Sequence, residues 1–412
     1  MKLTDALRRA AHLHPDAIAT IGPGRRKTFR QLESRVSCLA NALIGLGLAN
    51  GDVVAIAAAH SDRVLETQYA IAWAGGIAAH ADPRLAFDGL CALINDSQAT
   101  ILVLDDRYAA QSEALFDHCS YIRAMVFCGD GPCPDLAKVH DALIIAADPM
   151  RDRDIGGDAT AALCYHRTDD GRWLGSQLSH HSLCFASLAL AAAGSFSDAG
   201  IGLQAITATA AENLVFSGSL LLRGSAQVFV DPDHRLGTAI SEHGATDLLL
   251  TAPTLQALLV EAANAAPLAS VGQILIARST LDLQFGPGLS GAAPALAARY
   301  PAARLMTAWG TPELCGIATL QPLPVSAAGA AVGQPIAYLE LRVAADDGRE
   351  ASRGAFGELY ARGPTTLRGY WQQPDASAVV RQQDWVACGV RAAVMADGGL
   401  LIDPAPLAIE AV

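Results

Sequence analysis

The chain has 412 residues, 51% of them apolar and 17% charged, with 37 glycines, 20 prolines and a formal net charge of −12. That length suggests two or three compact units, and that composition excludes a disordered or fibrous chain. The acidic balance repels phosphate backbones and no basic cluster carries interleaved aromatics, so nucleic acid is excluded as an expected partner.

The opening MKLTDALRRAAHLHPD reads as an amphipathic helix and lacks the apolar run of a signal peptide. No apolar stretch is long and uninterrupted enough for a membrane span, so a cytoplasmic protein is expected. Leu32, Val36, Leu39, Leu43 and Ile44 recur at helical spacing, and Gly47 and the Asn50-Gly51-Asp52 turn stop that helix. Val53 to Ala57 is a short apolar strand, and a helix over about 62–74 ends at Gly75-Gly76. A strand follows at Ile77–His80, then a helical pattern over Phe87–Ile94 and a strand at Ile101–Leu104. Strands alternating with helices predict right-handed crossovers and a mainly parallel sheet.

The polar stretch Asp148–Asp158 reads as a linker. Beyond it, strand signals lie at Ala226–Val230, Asp247–Leu250 and Ile274–Ile276. From about 330 the strands shorten and alternate, as in Leu339–Val343 and Gly357–Ala361. The expected architecture is α/β: a first α/β subdomain over 1–150, a second over 160–325, both with mainly parallel sheets, and a small β-rich subdomain over 330–412. Nine scattered cysteines, without paired spacing, favour reduced thiols over a disulfide frame or a zinc site.

Several segments carry a resemblance. They are HPDAIAT at 14–20, KTFRQLESRVSCLANALIGLGLANGDVVAI at 27–56, AIAWAGGIAAHADPRLAFDGLCALINDSQATILVLDD at 70–106, AVGQP at 331–335, GELYARGPTTLRGYW at 357–371 and DWVACG at 384–389. In this order and spacing the chain resembles the adenylate-forming superfamily of acyl- and aryl-CoA synthetases, peptide-synthetase adenylation domains and luciferases. The resemblance implies that superfamily's large N-terminal domain. It also implies chemistry in which ATP and a carboxylate give an acyl-AMP, whose acyl group passes to a thiol.

The residues that such chemistry needs are altered. The superfamily's phosphate loop, YTSGTTGxPKG, aligns with Tyr165-His166-Arg167-Thr168-Asp169-Asp170-Gly171-Arg172-Trp173-Leu174-Gly175, followed by Ser179-His180. Thr168 stands for a glycine, Asp169 and Asp170 for two threonines, and Leu174 for the lysine. Each carboxylate near a triphosphate costs about 4 kcal/mol per charge pair at ~4 Å and an effective dielectric of ~20. The loop therefore reads as a degenerate, solvated turn. The Tyr-Gly-x-Thr-Glu segment is Trp309-Gly310-Thr311-Pro312-Glu313, and Glu313 is either the magnesium ligand that the resemblance implies or a solvated loop residue. The ribose-binding Thr-Gly-Asp is Cys388-Gly389-Val390, and the chain stops at DPAPLAIEAV, without the expected swinging domain that bears the catalytic lysine.

ATP and magnesium are accordingly not expected as cofactors. The resemblance puts an acyl or aryl group beside Trp309, Gly310 and Thr311, with Thr209 and Ala210 on the opposite wall and Trp309 as a stacking face. Cys164 and His166 share a strand face and offer a thiol and base pair, against the commoner reading of Cys164 as a buried small hydrophobe. His180 reads as a structural residue at a helix start, and the Asp231–His234 run as a turn without a metal. The leading expectation is an ATP-independent binder of an acyl or aryl group or its CoA thioester, passing it to a thiol such as that of an acyl carrier protein. The alternatives are a non-catalytic partner of an intact ligase and a residual ligase.

Overall fold

The computed structural model describes residues 1–403 apart from 83, 169–170, 195, 206–210, 231–234, 263–265, 279–287 and 324–329. Two sheets organise the chain. The first has seven strands in the order Ala137–Val139, Ala124–Phe127, Ile101–Leu104, Val53–Ala57, Ile77–His80, Thr160–Arg167 and Trp173–Ser179. All its pairings are parallel except the last, an antiparallel hairpin. Val53–Ala57, Ile77–His80 and Ile101–Leu104 are buried along their whole length, as strands covered on both faces must be.

The second sheet runs parallel from Ile18–Gly22 through Ala226–Val228, Ile201–Ala205, Asp247–Leu250 and Gln273–Arg278 to Arg304–Trp309. Thr319–Pro322 and Ala331–Pro335 continue it antiparallel into the strands Leu400–Ile402, Trp385–Val394, Gly357–Arg362 and Glu340–Ala344. No helix among the described residues is long and apolar enough to cross a membrane.

The α/β class stands, but the expected unit boundaries are corrected. The hairpin Ile18–Gly22/Arg25–Thr28 joins the second sheet, while Thr160–Ser179, assigned to the second unit, completes the first. The β-rich segment forms as expected and joins the second sheet through the pairing of Ala331–Pro335 with Leu400–Ile402. An apolar strand between two helices reads the same whichever sheet receives it, because a parallel partner is fixed by a distant crossover.

Local signals are satisfied where the chain must change direction. Thr28 and Gln31 close a reciprocal capping box on the helix Phe29–Gly45, with the Gln31 amide donating to Thr28 Oγ1 (3.3 Å) and the Thr28 amide to Gln31 Oε1 (2.9 Å). Ser61 and Ser179 cap the helices Asp62–Trp73 and His180–Ala193.

The helix Asp62–Trp73 is buried at every position but Arg63, so its carboxylates need partners. Lys27 Nζ lies 2.6 Å from Asp62 Oδ2 and 2.8 Å from Glu66 Oε1, and Arg35 Nε lies 2.6 Å from the same Glu66 oxygen. Arg25 holds Asp62 at 3.0 Å, and Arg35 and Arg63 both pair with Asp141. Gly22 is required there, since a Cβ would stand 2.7 Å from Asp62 Oδ1. Glu66, His140 and Asp141 bring three ligand-type atoms within 4.8 Å. Three cations already bond these carboxylates, which leaves a metal ion little to gain.

Burial raises the Asp62 carboxyl, but Arg25 and Lys27 more than offset it and hold it at about 2. A carboxyl depressed in the fold stabilises it above the ordinary carboxylate value, and that support is lost as pH falls through about 2. Glu66→Gln leaves Lys27 and Arg35 undercompensated and is expected to lower unfolding free energy by about 3–5 kcal/mol in urea titration. Asp16→Asn, in an exposed pair with Arg30, should change it by less than about 1 kcal/mol.

Candidate functional site

The hairpin that ends the first sheet carries the altered loop. Cys164 pairs with Ser176, Tyr165 with Gly175, His166 with Leu174 and Arg167 with Trp173. Tyr165 Oη donates to Asp96 Oδ2 at 2.9 Å, and a Cβ on Gly175 would lie 2.7 Å from the Tyr165 ring, so these two identities depend on each other. The hairpin tip bonds to itself. The Thr168 amide donates to Arg172 O and the Gly171 amide to Thr168 O, both at 2.9 Å, with Gly171 at φ +86°. The Thr168 and Gly171 amides are thus used within the turn. Asp169 and Asp170 lie outside the described residues. Leu174, at the lysine position, is buried in the hydrophobic core.

Facing the hairpin, the strand Arg304–Trp309 leads into the turn Pro312–Leu314. Gly310 has no room for a side chain, since a Cβ would stand 2.4 Å from the carbonyl oxygen of Gly316. This close approach turns Glu313 inward, where it is 5% exposed rather than solvated. Glu313 Oε1 accepts from Tyr370 Oη at 2.9 Å and lies 3.6 Å from His166 Nε2. Tyr370 arrives because the segment 367–371 lies along the outer edge of Trp173–Ser179. There the Gln177 amide donates to Gly369 O (2.9 Å), the Trp371 amide to Gly175 O (2.8 Å) and the Leu367 amide to Glu313 O (2.7 Å). Burial, then Glu313, pushes the Tyr370 phenol far up, so the tyrosine stays a hydrogen-bond donor. The three-ligand group found among the described residues lies elsewhere, at Glu66.

Between hairpin and turn lies a cavity of about 330 Å³, bordered by His80, Cys164, His166, Glu212, Pro312 and Gly316. Cys164 and His166 thus reach one cavity, as their spacing predicts. The thiol and base pair is nevertheless corrected. Cys164 is buried, and burial above all pushes its thiol far above the ordinary value, with Cys315, Glu212 and Glu313 adding to it. A protonated thiol is not a nucleophile at neutral pH.

Trp309 is corrected as well. Its ring is 1% exposed and packed in the core, with no open face for stacking, and its Nε1 finds no partner among the described residues. Thr311 is buried, and its hydroxyl has no partner among the described residues. Thr209 and Ala210 lie outside the described residues. Cys388 and Val390 are buried within the strand Trp385–Val394. His180 is structural, as expected: its Nδ1 accepts from the Leu3 amide at 3.2 Å.

Periodicity passed over His60, Gln68, His80 and Asn213, which converge on a second, small cavity beside the first. Only the polar residue ending the apolar run Ile77–His80 could have signalled it.

A family profile described as AMP-binding enzyme matches residues 7–371. The chain is similar to an indoleacetate–CoA ligase of Aromatoleum aromaticum, 25% identical over 98% of this chain and 78% of that protein. It is also similar to a feruloyl-CoA synthase of an Amycolatopsis species, 27% identical over 95% of this chain and 76% of that one. A solved structure from Rhodopseudomonas palustris, a candidate long-chain-fatty-acid CoA ligase, superposes with a TM-score of 0.86 at 25% identity, covering 98% of each chain.

Iodoacetamide at pH 7.5 is expected to leave Cys164 unmodified in the folded protein while the half-buried Cys38 and Cys133 react. Peptide mass spectrometry checks this, and labelling of Cys164 at the rate of a free thiol would restore it as a nucleophile.

Proposed function

The chain belongs to the AMP-binding enzyme family, and from that premise we propose that it binds an acyl or aryl group as its CoA thioester and moves it without ATP. One observation carries the reading. At the position where the resemblance implies a magnesium ligand, Glu313 is buried against Tyr370 and lies 3.6 Å from Nε2 of His166, which borders the cavity. A carboxylate so engaged orients an imidazole better than it holds a hydrated cation. The buried, uncharged Leu174 at the lysine position and the Thr168 and Gly171 amides, bonded within the turn, support the same reading.

Transfer of an acyl group between two thiols is nearly thermoneutral and needs no ATP. His166 Nδ1, buried and without a partner among the described residues, takes the proton of an acceptor thiol, such as the phosphopantetheine thiol of an acyl carrier protein. The thiolate adds to the thioester carbonyl, the bond to the CoA sulfur breaks, and the CoA thiolate leaves with the proton from His166. Glu313 keeps the ring oriented and balances its charge. Cys164 forms part of the wall and no covalent intermediate.

Titration calorimetry is expected to give no binding of ATP with magnesium at millimolar concentration and micromolar binding of an aryl-CoA such as benzoyl-CoA. A micromolar ATP dissociation constant would reject the ATP-independent reading. In a transfer assay that follows loss of the thioester, His166→Ala is expected to slow turnover by about 10²-fold or more with thioester affinity little changed. Tight thioester binding with no transfer to any thiol would instead favour a non-catalytic partner of an intact ligase.

A further inference from the structure

Behind the main cavity, and sharing His80 with it, lies a smaller one of about 20 Å³, room for a single water-sized group. Its walls are mostly aliphatic, from Val64, Leu65 and Leu214, yet four polar side chains meet there from separate elements. His60 precedes the helix Asp62–Trp73, Gln68 lies on it, His80 ends the strand Ile77–His80, and Asn213 sits in the first turn of the helix Ala211–Arg223. Gln68, His80 and Asn213 are each no more than 3% exposed.

Each has one polar atom bonded and one left over. His80 Nε2 bonds Gln68 Oε1, and Asn213 Nδ2 lies 3.1 Å from His60 Nδ1. Those bonds assign the tautomers: His80 carries its proton on Nε2, and His60, accepting at Nδ1, carries its own on Nε2. The remaining buried atoms, without partners among the described residues, are then two donors, His60 Nε2 and Gln68 Nε2, and two acceptors, His80 Nδ1 and Asn213 Oδ1. Burial pushes both imidazoles down, His60 to about 3 with His80 adding to it, and His80 to about 4, so both are neutral at pH 7. Four unsatisfied buried atoms are costly, at about 1–3 kcal/mol each, and donors and acceptors in equal number call for a group that both gives and takes. An anion would leave the acceptors unpaired, and a cation the donors.

We propose that this pocket is a subsite for a hydroxyl group at the buried end of the bound acyl or aryl group, which makes the substrate a hydroxylated acid as its thioester. The inference rests on the thioester-binding reading above. A hydroxyl entering past His80 donates to His80 Nδ1 or Asn213 Oδ1 and accepts from His60 or Gln68. A methyl group or hydrogen in its place leaves those atoms unpaired, and polar sites of this kind discriminate far more strongly than apolar ones.

The test compares cinnamoyl-CoA, 4-hydroxycinnamoyl-CoA and 4-methoxycinnamoyl-CoA by titration calorimetry on the full chain and on Asn213→Leu. Expected is about tenfold or tighter binding of the hydroxylated thioester over the unsubstituted one, with the methoxy compound weakest. Asn213→Leu should reduce that preference to about twofold or less while retaining affinity for cinnamoyl-CoA, with thermal unfolding as the control for folding. Gln68→Leu is the second variant should the first fail to fold. Equal affinity for the hydroxylated and unsubstituted thioesters overturns this inference alone and leaves the cavity to a water molecule. Binding of none of the three sinks the thioester-binding reading and this inference with it.

Discussion

Two carboxylates removed from water, Asp62 and Glu66, set the terms for the rest of the molecule. Both belong to a helix of the first sheet, and the cations that neutralise them come from other places in the chain. Arg25 and Lys27 stand on the hairpin that edges the second sheet, and Arg35 on the helix that follows it. Neither carboxylate can be buried until those elements are in place, because a lone buried charge costs several kcal/mol. The network therefore fixes the two sheets against each other rather than adding strength to either. Gly22 belongs to the same constraint, since the strand bearing it passes too close to Asp62 for any side chain.

With the sheets fixed, the cleft between them is shaped by another buried carboxylate, Glu313. The segment 367–371 hydrogen-bonds along the edge of the hairpin strand Trp173–Ser179, closing a sheet edge that would otherwise be exposed. The same segment sets Tyr370 on Glu313, and the hairpin sets His166 on the other side. The Thr168 and Gly171 amides bonded within the turn, the buried Leu174 and the Glu313 carboxylate beside His166 thus occur around one cleft.

The histidines divide by environment. His60 and His80 lie where desolvation keeps them neutral, and a neutral imidazole is a directional donor and acceptor at once. His166 is half-buried beside a carboxylate, the setting in which an imidazole is oriented to exchange a proton. The two environments meet at His80, which borders both the larger cavity with His166 and the smaller one with His60.

Much of this was legible in the sequence. Apolar runs placed the strands Val53–Ala57, Ile77–His80, Ile101–Leu104 and Asp247–Leu250 within their observed bounds, because burial on both faces leaves an unbroken hydrophobic signature. The aligned motifs carried the family, and the replaced residues at 168–174 and 388–390 were visible as letters. What letters could not carry was contact. Which sheet receives a strand depends on long-range pairing, so Ile18–Thr28 and Thr160–Ser179 were assigned to the wrong units. Whether Trp309 shows a face, whether Cys164 can ionise, and what stands opposite Glu313 depend on neighbours distant in the chain. Asn213 meets His60 across 153 positions, and no local period encodes a pocket assembled that way. Periodicity reports which side of an element avoids water; only the packed structure decides which polar atoms meet there and which are left without a partner.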